Sequence, residues 1–202
     1  AFDPTKRKTG GALLADRLRM NAIYDGRVYL RSLATRNLSS STGTCVESTL
    51  DILRNLNFDF IILETSGIGQ SDSLIADFCD HSVYVMTPEY GASTQLEKID
   101  MLDFADTIML NKSDKSEAQA AFEDVLYNYR KSRDFSPNEP SPVFATAASC
   151  FNNQGIHEAF KHIISTLQTR FPSLKHINLK KLEHLQEEAH FTIIPQKRSY
   201  YL

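Results

Sequence analysis

Asn111, Lys112, Ser113 and Asp114 form a polar tetrapeptide that directly follows an apolar run. The Asp114 carboxylate can accept hydrogen bonds from guanine N1–H and from its exocyclic amine, groups that adenine does not offer in that arrangement. Asn111 can brace the loop and reach the base edge, while the aliphatic stem of Lys112 can cover the purine face. The alternative is an ordinary turn, in which Asn and Asp are common. Its place at the end of a predicted strand favours guanine recognition.

The stretch ILETSGIGQS (62–71) also passes from apolar to polar residues, with Glu64 at the junction. A carboxylate at a strand end can hold Mg²⁺ directly or through water. Gly67 and Gly69 allow the backbone to approach a phosphate closely, and such a loop can respond to a γ-phosphate through its N–H groups. The alternative is a tight strand–helix turn whose glycines serve backbone geometry only.

The first nineteen residues place two carboxylates around a basic cluster, with Asp3 at a strand end and Asp16 near Arg19. This arrangement suits a magnesium–phosphate site, although Asp16 and Arg19 also fit a solvated i,i+3 pair on a helix. The sequence lacks GxxxxGK[ST], the loop that holds nucleotide phosphates. Without such a loop, a guanine reader is not a competent GTPase by itself.

The stretch PEYGASTQLEKID (88–100) is predicted to be a loop that enters a helix. Lys98 in this helix is a candidate charge partner for phosphates, and an exposed helical lysine is the alternative. The stretch ATAASCFNNQG (145–155) follows the last predicted strand, and its small residues allow backbone contact with the guanine carbonyl. That second signal is generic.

Five apolar segments alternate with amphipathic ones, which is typical of strands joined by helices. The predicted strands are 27–34, 58–65, 81–88, 106–112 and 141–148. The predicted helices are 45–56, 72–79, 94–104, 115–131 and 156–171. Strands buried on both faces and joined by helices predict a doubly wound, three-layer α/β domain with a mainly parallel sheet. Ligands of such folds bind beyond the carboxyl ends of the strands, where the polar stretches lie.

Composition narrows the classes of partner. The chain has 202 residues and a net charge of −3, which gives no electrostatic argument for nucleic acid or an anionic membrane. Its apolar runs are shorter than the roughly 20 residues that span a bilayer. Cys45, Cys79 and Cys150 are widely spaced, and we interpret them as reduced thiols of a cytoplasmic protein.

Five stretches match one family: DPTKRKTGGALLADRLRMNAI, VYLRSLATR, ILETSGIGQSD, YVMTPEYGASTQLEKIDMLDFAD and LNKSD. Together they resemble the GTPase (G) domain of the methylmalonyl-CoA-mutase-associated GTPase chaperones. The resemblance is closer still to the form fused inside isobutyryl-CoA mutase, an adenosylcobalamin-dependent enzyme. It implies a P-loop NTPase-like fold and GTP hydrolysis that gates cofactor loading and protects the mutase.

The resemblance also implies roles for individual residues. Magnesium-site roles fall on Phe2, Asp3, Asp16, Glu64 and Thr65. Nucleotide-binding roles fall on Arg19, Asn111, Lys112, Ser113 and Asp114. Catalytic roles fall on Lys98 and Glu64, and switch roles on Gly67, Gly69, Gln70 and Gln95. The implied ligands are GTP or GDP and Mg²⁺, with adenosylcobalamin bound elsewhere in the parent enzyme.

The same resemblance predicts the organisation of the chain. Residues 1–172 would be a G domain lacking its first strand and phosphate loop, which the family carries upstream of Asp3. Residues 173–202 would be a helical linker toward a mutase domain. We therefore expect a segment of a longer polypeptide, inactive alone, whose parent is a homodimer with cobalamin-binding and substrate-binding domains.

Two other interpretations remain at this stage. A nucleotide-free scaffold that only contacts mutase domains fits the missing phosphate loop, and a stand-alone mutase-associated GTPase chaperone fits the same motifs. A metal-insertion GTPase is disfavoured, because the sequence has neither a His-rich tract nor a Cys-x-x-Cys pair.

Overall fold

The structure is a computed structural model that describes residues 2–4, 26–35, 41–56, 58–65, 76–90, 99–133 and 140–180. The chain divides into two compact units, Ala1–Cys79 and Asp80–Leu202.

The first unit contains a two-stranded parallel sheet and one long helix. Strand β1 (Phe2–Pro4) pairs with β2 (Leu33–Thr35), which places Asp3 opposite Ala34. Helix α1 (Ser41–Arg54) buries Val46 and Leu50. These residues are four apart and share one helix face, which makes the apolar stripe of an amphipathic helix. Their partners in this small core are Leu33, Ile61, Leu63 and Phe78.

Two strands predicted in the first unit differ from the structure. The predicted strand 27–34 is regular only from Leu33 onward, and Val28 and Tyr29 are exposed. Residues 58–64 have no regular secondary structure, and Thr65 makes a single bridge. Ile62 is 88% exposed while its neighbours Ile61 and Leu63 join the core. Burial therefore alternates as in a strand with one buried face, rather than the predicted strand buried on both faces.

The second unit is built on a three-stranded parallel sheet. Strands β3 (Val83–Met86), β4 (Thr107–Leu110) and β5 (Val143–Ala145) lie in that order. The register aligns Tyr84 with Ile108 and Ile108 with Val143. A short 3-10 turn, Pro88–Tyr90, follows β3.

Helices α2 (Ile99–Phe104), α3 (Ala118–Ser132) and α4 (Gln154–Arg170) follow the three strands in turn. Leu102 of α2 and Val125 of α3 join Ile108 and Leu110 of β4 in the main core, and Ile108 and Leu110 are 0% exposed. Helix α4 covers the other face, where the Phe144 and His162 rings are 5.4 Å apart. The predicted three-layer α/β arrangement is therefore present in this unit.

Arg133, just after α3, ties α3 to α2. Its guanidinium donates to the carbonyl oxygens of Asp103 at 2.7 Å and Ala105 at 2.9 Å, and it lies 4.8 Å from the centre of the Tyr129 ring. The last carbonyls of a helix have no partner within the helix, so this cation satisfies groups that burial would otherwise penalise.

The predicted helices 45–56, 115–131 and 156–171 correspond to α1, α3 and α4. Of the predicted helix 94–104, residues 99–104 are helical, and 76–78, within the predicted helix 72–79, form a 3-10 turn. After α4, the 3-10 turn Pro172–His176 buries Leu174. The Gln168 side chain donates to the carbonyl oxygens of Leu174 and Ile177 at 3.0 and 2.9 Å. Residues 181–202 of the predicted linker lie outside the described residues.

Candidate functional site

The tetrapeptide 111–114 leaves the carboxyl end of β4 and is held by both neighbouring strands. The Asn111 N–H donates to the Met86 carbonyl oxygen at 2.8 Å, which extends the pairing of β4 with β3 by one residue. The Ser113 N–H donates to the Thr146 carbonyl oxygen at 2.9 Å on the β5 side. The backbone of this turn is therefore fixed relative to the sheet.

Lys112 adopts the left-handed conformation, with φ of 61°. A residue with a Cβ pays about 1 kcal/mol or more for this conformation, so the hydrogen bonds on either side must impose it. The Lys115 N–H donates to the Lys112 carbonyl oxygen at 3.1 Å and closes the turn. As a result the chain reverses sharply, and Asp114 is exposed at the edge of the sheet.

The Asn111 side chain links this turn to the loop after β5. Its Oδ1 accepts from the Ala148 N–H at 3.0 Å and lies 3.5 Å from the Thr146 hydroxyl. Thr146 is only 3% exposed. Asp114, by contrast, makes no hydrogen bond or ion pair with any residue that the structure describes. The site thus combines one asparagine that shapes the loop with one carboxylate that is available to a ligand.

The Lys112 ammonium turns toward Glu89, in the 3-10 turn after β3, with an N–O distance of 3.7 Å. A hydrogen bond with the Thr87 side chain lowers the pKa of Glu89, and its own backbone N–H and the charge of Lys112 act in the same direction. Both side chains are about half exposed, so water screens the attraction. The pair orients Lys112 more than it stabilises the fold.

Sequence reasoning missed two residues at this edge. Asn153 is the N-cap of α4, and its Oδ1 accepts from the Ile156 N–H at 3.2 Å and from the Ala147 N–H at 3.1 Å. The signal for it was an Asn directly before a helical pattern. Glu89 lies in the stretch 88–100 without a predicted role, because its contact with Lys112 depends on the tertiary pairing of β3 with β4.

The predicted magnesium-side residues fall in the first unit. Phe2 and Asp3 belong to β1, which ends one residue after Asp3. Glu64 is exposed and Thr65 is half-buried. Mg²⁺ is bound by oxygen ligands, which the side chains of Asp3, Glu64 and Thr65 carry and which Phe2 offers only through its backbone. Within the described part of the chain, no group of three or more His, Cys, Asp or Glu residues is arranged to hold a metal ion.

The remaining predicted site residues lie outside the described residues: Asp16, Arg19, Gly67, Gly69, Gln70, Gln95 and Lys98. The structure therefore brings together Asn111, Lys112, Ser113 and Asp114 with the loop after β5. Over the residues that the structure covers, none of the helices has the length and apolar character needed to cross a bilayer.

Comparison with known proteins places this geometry in a family context. A family model described as methylmalonyl Co-A mutase-associated GTPase MeaB matches residues 1–190. The fused isobutyryl-CoA mutase of Geobacillus kaustophilus is 44% identical over 204 aligned positions, covering 100% of this chain and 19% of that protein. The fused isobutyryl-CoA mutase of Paraburkholderia xenovorans is 48% identical over 174 positions, covering 83% of this chain and 14% of that protein. The chain thus spans less than a fifth of the length of these relatives.

Two further comparisons are more distant. A mitochondrial methylmalonic aciduria type A homolog of Caenorhabditis briggsae is 28% identical over 114 positions, covering 56% of this chain and 28% of that protein. The crystal structure of an LAO/AO transport system kinase superposes with a TM-score of 0.54 at 19% identity, covering 94% of this chain and 56% of that one. This likeness confirms the predicted P-loop NTPase-like α/β fold.

Proposed function

Because the chain belongs to the methylmalonyl-CoA mutase-associated GTPase family, we propose that it binds guanine nucleotide and forms part of a GTP-hydrolysing chaperone module of an acyl-CoA mutase. The observation that carries the proposal is the turn 111–114. It presents the Asp114 carboxylate, which has no partner among the described residues, beside a loop of small residues whose backbone is held by Asn111. Such an edge suits a purine that carries N–H donors and a neighbouring carbonyl acceptor, which guanine does.

The turn and the loop divide the work of recognition. Asp114 accepts from the ring N–H and the exocyclic amine, while the loop after β5 offers a backbone N–H to the base carbonyl. Lys112 lays its stem along the purine face, with its ammonium directed toward Glu89. Adenine has an amine where guanine has the carbonyl, so two hydrogen-bond donors, this amine and the loop N–H, would face each other. Adenine also offers Asp114 neither of the two N–H groups that it would accept from.

The phosphate side of the reaction belongs to the predicted magnesium and switch residues. Phe2, Asp3, Asp16, Glu64 and Thr65 would hold Mg²⁺, which neutralises charge on the β- and γ-phosphates when it is bound. Arg19 would contact the nucleotide, and Lys98 and Glu64 would act in hydrolysis. Gly67, Gly69, Gln70 and Gln95 would respond to the γ-phosphate.

The mutase connection is proposed from the fused relatives. The module would contact cobalamin-binding and substrate-binding domains within a homodimeric parent enzyme, and GTP hydrolysis would gate the loading of adenosylcobalamin. Adenosylcobalamin itself would bind outside residues 1–202.

Calorimetric titration with GTP and ATP in the presence of magnesium tests the nucleotide proposal. It is made on this chain and on the natural polypeptide extended upstream of residue 1. We expect the extended protein to bind GTP and to discriminate strongly against ATP. Failure of the extended protein to bind GTP with magnesium would refute the proposal. Asp114→Asn provides the specificity control, because an amide donor matches the carbonyl that xanthine carries in place of the guanine amine.

A further inference from the structure

Asn153 joins the loop after β5 to the first turn of α4 through a single oxygen atom, beside the turn 111–114. Its Oδ1 accepts from the Ala147 N–H at 3.1 Å, in the loop after β5, and from the Ile156 N–H at 3.2 Å, in the first turn of α4. A helix cap needs only the second of these bonds. The first bond anchors the loop that faces Asn111.

Asn153 and Asn111 hold consecutive amides of this loop from opposite sides. Asn111 takes the Ala148 N–H at 3.0 Å, and Asn153 takes the Ala147 N–H. The Cys150 N–H turns back to the Ala147 carbonyl oxygen at 3.0 Å. The Ser149 N–H is left without a partner among the described residues. Two asparagines thus determine which way the remaining amide points.

Helix α4, which begins directly after Asn153, is tightly packed at its first turn. A Cβ built on Gly155 would lie 1.8 Å from the Ala145 carbonyl oxygen, so the first turn of α4 packs directly against the end of β5. Ala159, one turn further along α4, is 0% exposed. When the bond from Asn153 to Ala147 is lost, the loop therefore moves more readily than the helix.

We propose that Asn153 is a positioning residue of the guanine site, which fixes the loop 147–149 so that its remaining amide, the Ser149 N–H, faces the carbonyl of the bound base; this rests on the proposed function. Asn153 does not touch the nucleotide. It acts through the backbone of the loop, while Asp114 reads the opposite part of the base edge. The two residues therefore control different features of the base.

Three nucleotides separate these roles in binding measurements on the natural full-length protein with magnesium. GDP carries both features, IDP lacks only the exocyclic amine, and the diphosphate of 2-aminopurine riboside lacks the carbonyl together with the ring N1–H. We expect Asn153→Ala to weaken GDP and IDP binding by about tenfold. Binding of the 2-aminopurine nucleotide should change much less, because it never used the loop amides. The preference for GDP over that nucleotide should therefore fall, while the preference for GDP over IDP stays the same.

Two variants separate loop positioning from helix capping. Asn153→Asp keeps an acceptor for both amides and should restore the wild-type preferences. Asn153→Ser keeps the helix cap but is too short to serve both amides, so it should fold and still show the reduced preference for GDP. Gln154→Ala, at an exposed neighbouring position, is the matched control and should leave all three affinities unchanged.

The outcomes that overturn the proposal are distinct. If the wild-type protein shows no preference for GDP over ADP, the guanine site itself is wrong and the role of Asn153 fails with it. If the wild-type protein is selective but Asn153→Ser weakens all three nucleotides equally, or none of them, then Asn153 is only a helix cap.

Discussion

Two aspartates stand at the two ends of β4 and differ in almost every physical respect. Asp106, directly before the strand, accepts from the Ser82 N–H at 2.8 Å, and its carboxylate lies 3.0 Å from the Ser82 hydroxyl. Asp114, beyond the other end, is exposed and unpaired among the described residues. The first carboxylate joins β4 to β3, whereas the second is free to accept hydrogen bonds from a ligand.

The pKa of Asp106 reflects this environment. Burial alone would raise it, but the hydrogen bonds from Ser82 and the charges of His81 and Arg170 outweigh burial and hold the pKa below its ordinary value. At the amino end of β4, the Asp106 carboxylate is thus satisfied by Ser82. At the carboxyl end, the left-handed Lys112 precedes the Asp114 carboxylate, which has no partner among the described residues. Satisfied polar groups support the fold, and unsatisfied, accessible ones mark the place for a ligand.

Replacing Asp114 gives the largest expected effect. Asp114→Ala would remove the two charge-assisted hydrogen bonds proposed for guanine, so we expect GDP affinity to fall by on the order of a hundredfold or more. The free energy of unfolding should change by less than about 0.5 kcal/mol, since the carboxylate is exposed and has no partner among the described residues. Calorimetry and urea denaturation measure the two quantities. A large loss of stability with intact GDP affinity would reverse the assignment of the two aspartates.

Asp106→Ala should give the opposite result. It leaves the Ser82 N–H without its acceptor at a partly buried position, which should destabilise the fold by about 2–3 kcal/mol. Discrimination between GDP and ADP should remain. The matched control is Asp103→Ala, at an exposed position of α2 whose contacts with Arg133 run through its carbonyl. If Asp103→Ala costs as much stability as Asp106→Ala, the Ser82 contact is not the source of the effect.

The sequence predicts the strands of the second unit better than it predicts the contacts between the segments at their ends. Strands β3, β4 and β5 can be recognised in the sequence as short apolar runs. Each contains β-branched residues and is followed by a polar turn. The pairing of Asn153 with Ala147, or of Lys112 with Glu89, joins segments whose approach depends on the parallel register of the strands. The irregular backbone at 58–64 was missed for a related reason: an apolar run predicts a strand, but strand pairing requires a neighbour that the run does not identify.

His81, shortly before β3, should make the free energy of unfolding depend on pH. Burial lowers the pKa of His81 below 6.5, helped by the charges of His162 and Arg170 and opposed by Asp106. As the pH falls, the His81 imidazole therefore binds a proton near pH 6.5 in the unfolded chain but only at lower pH in the folded chain. Stability is complete above this pH and falls as the pH drops toward the folded pKa, by at most about 1.4 kcal/mol per pH unit for one proton.

Urea denaturation of the wild-type protein and His81→Gln across this range tests the effect. The variant should show a shallower loss of stability below about pH 6.5. Some loss should persist, because burial lowers the pKa of His162 as well. Between about pH 7 and 8 the free energies of unfolding of the two proteins should change in parallel, since His81 is mostly neutral in both the folded and the unfolded wild-type chain. An equally steep loss in His81→Gln would assign the dependence to other groups.

The smallest expected effect belongs to the carboxyl edge and concerns Glu89. Its contact with Lys112 spans 3.7 Å between exposed side chains, so Glu89→Gln should leave the free energy of unfolding nearly unchanged. Because Glu89 directs the Lys112 ammonium, we expect GDP affinity to fall by about threefold or less, and the difference to shrink at high salt as the pair is screened. Glu117→Gln, an exposed position without a side-chain cap bond, is the matched control. A tenfold or salt-independent loss in Glu89→Gln would instead make Glu89 a direct part of the guanine site, and the carboxyl edge would then rely on two carboxylates rather than on Asp114 alone.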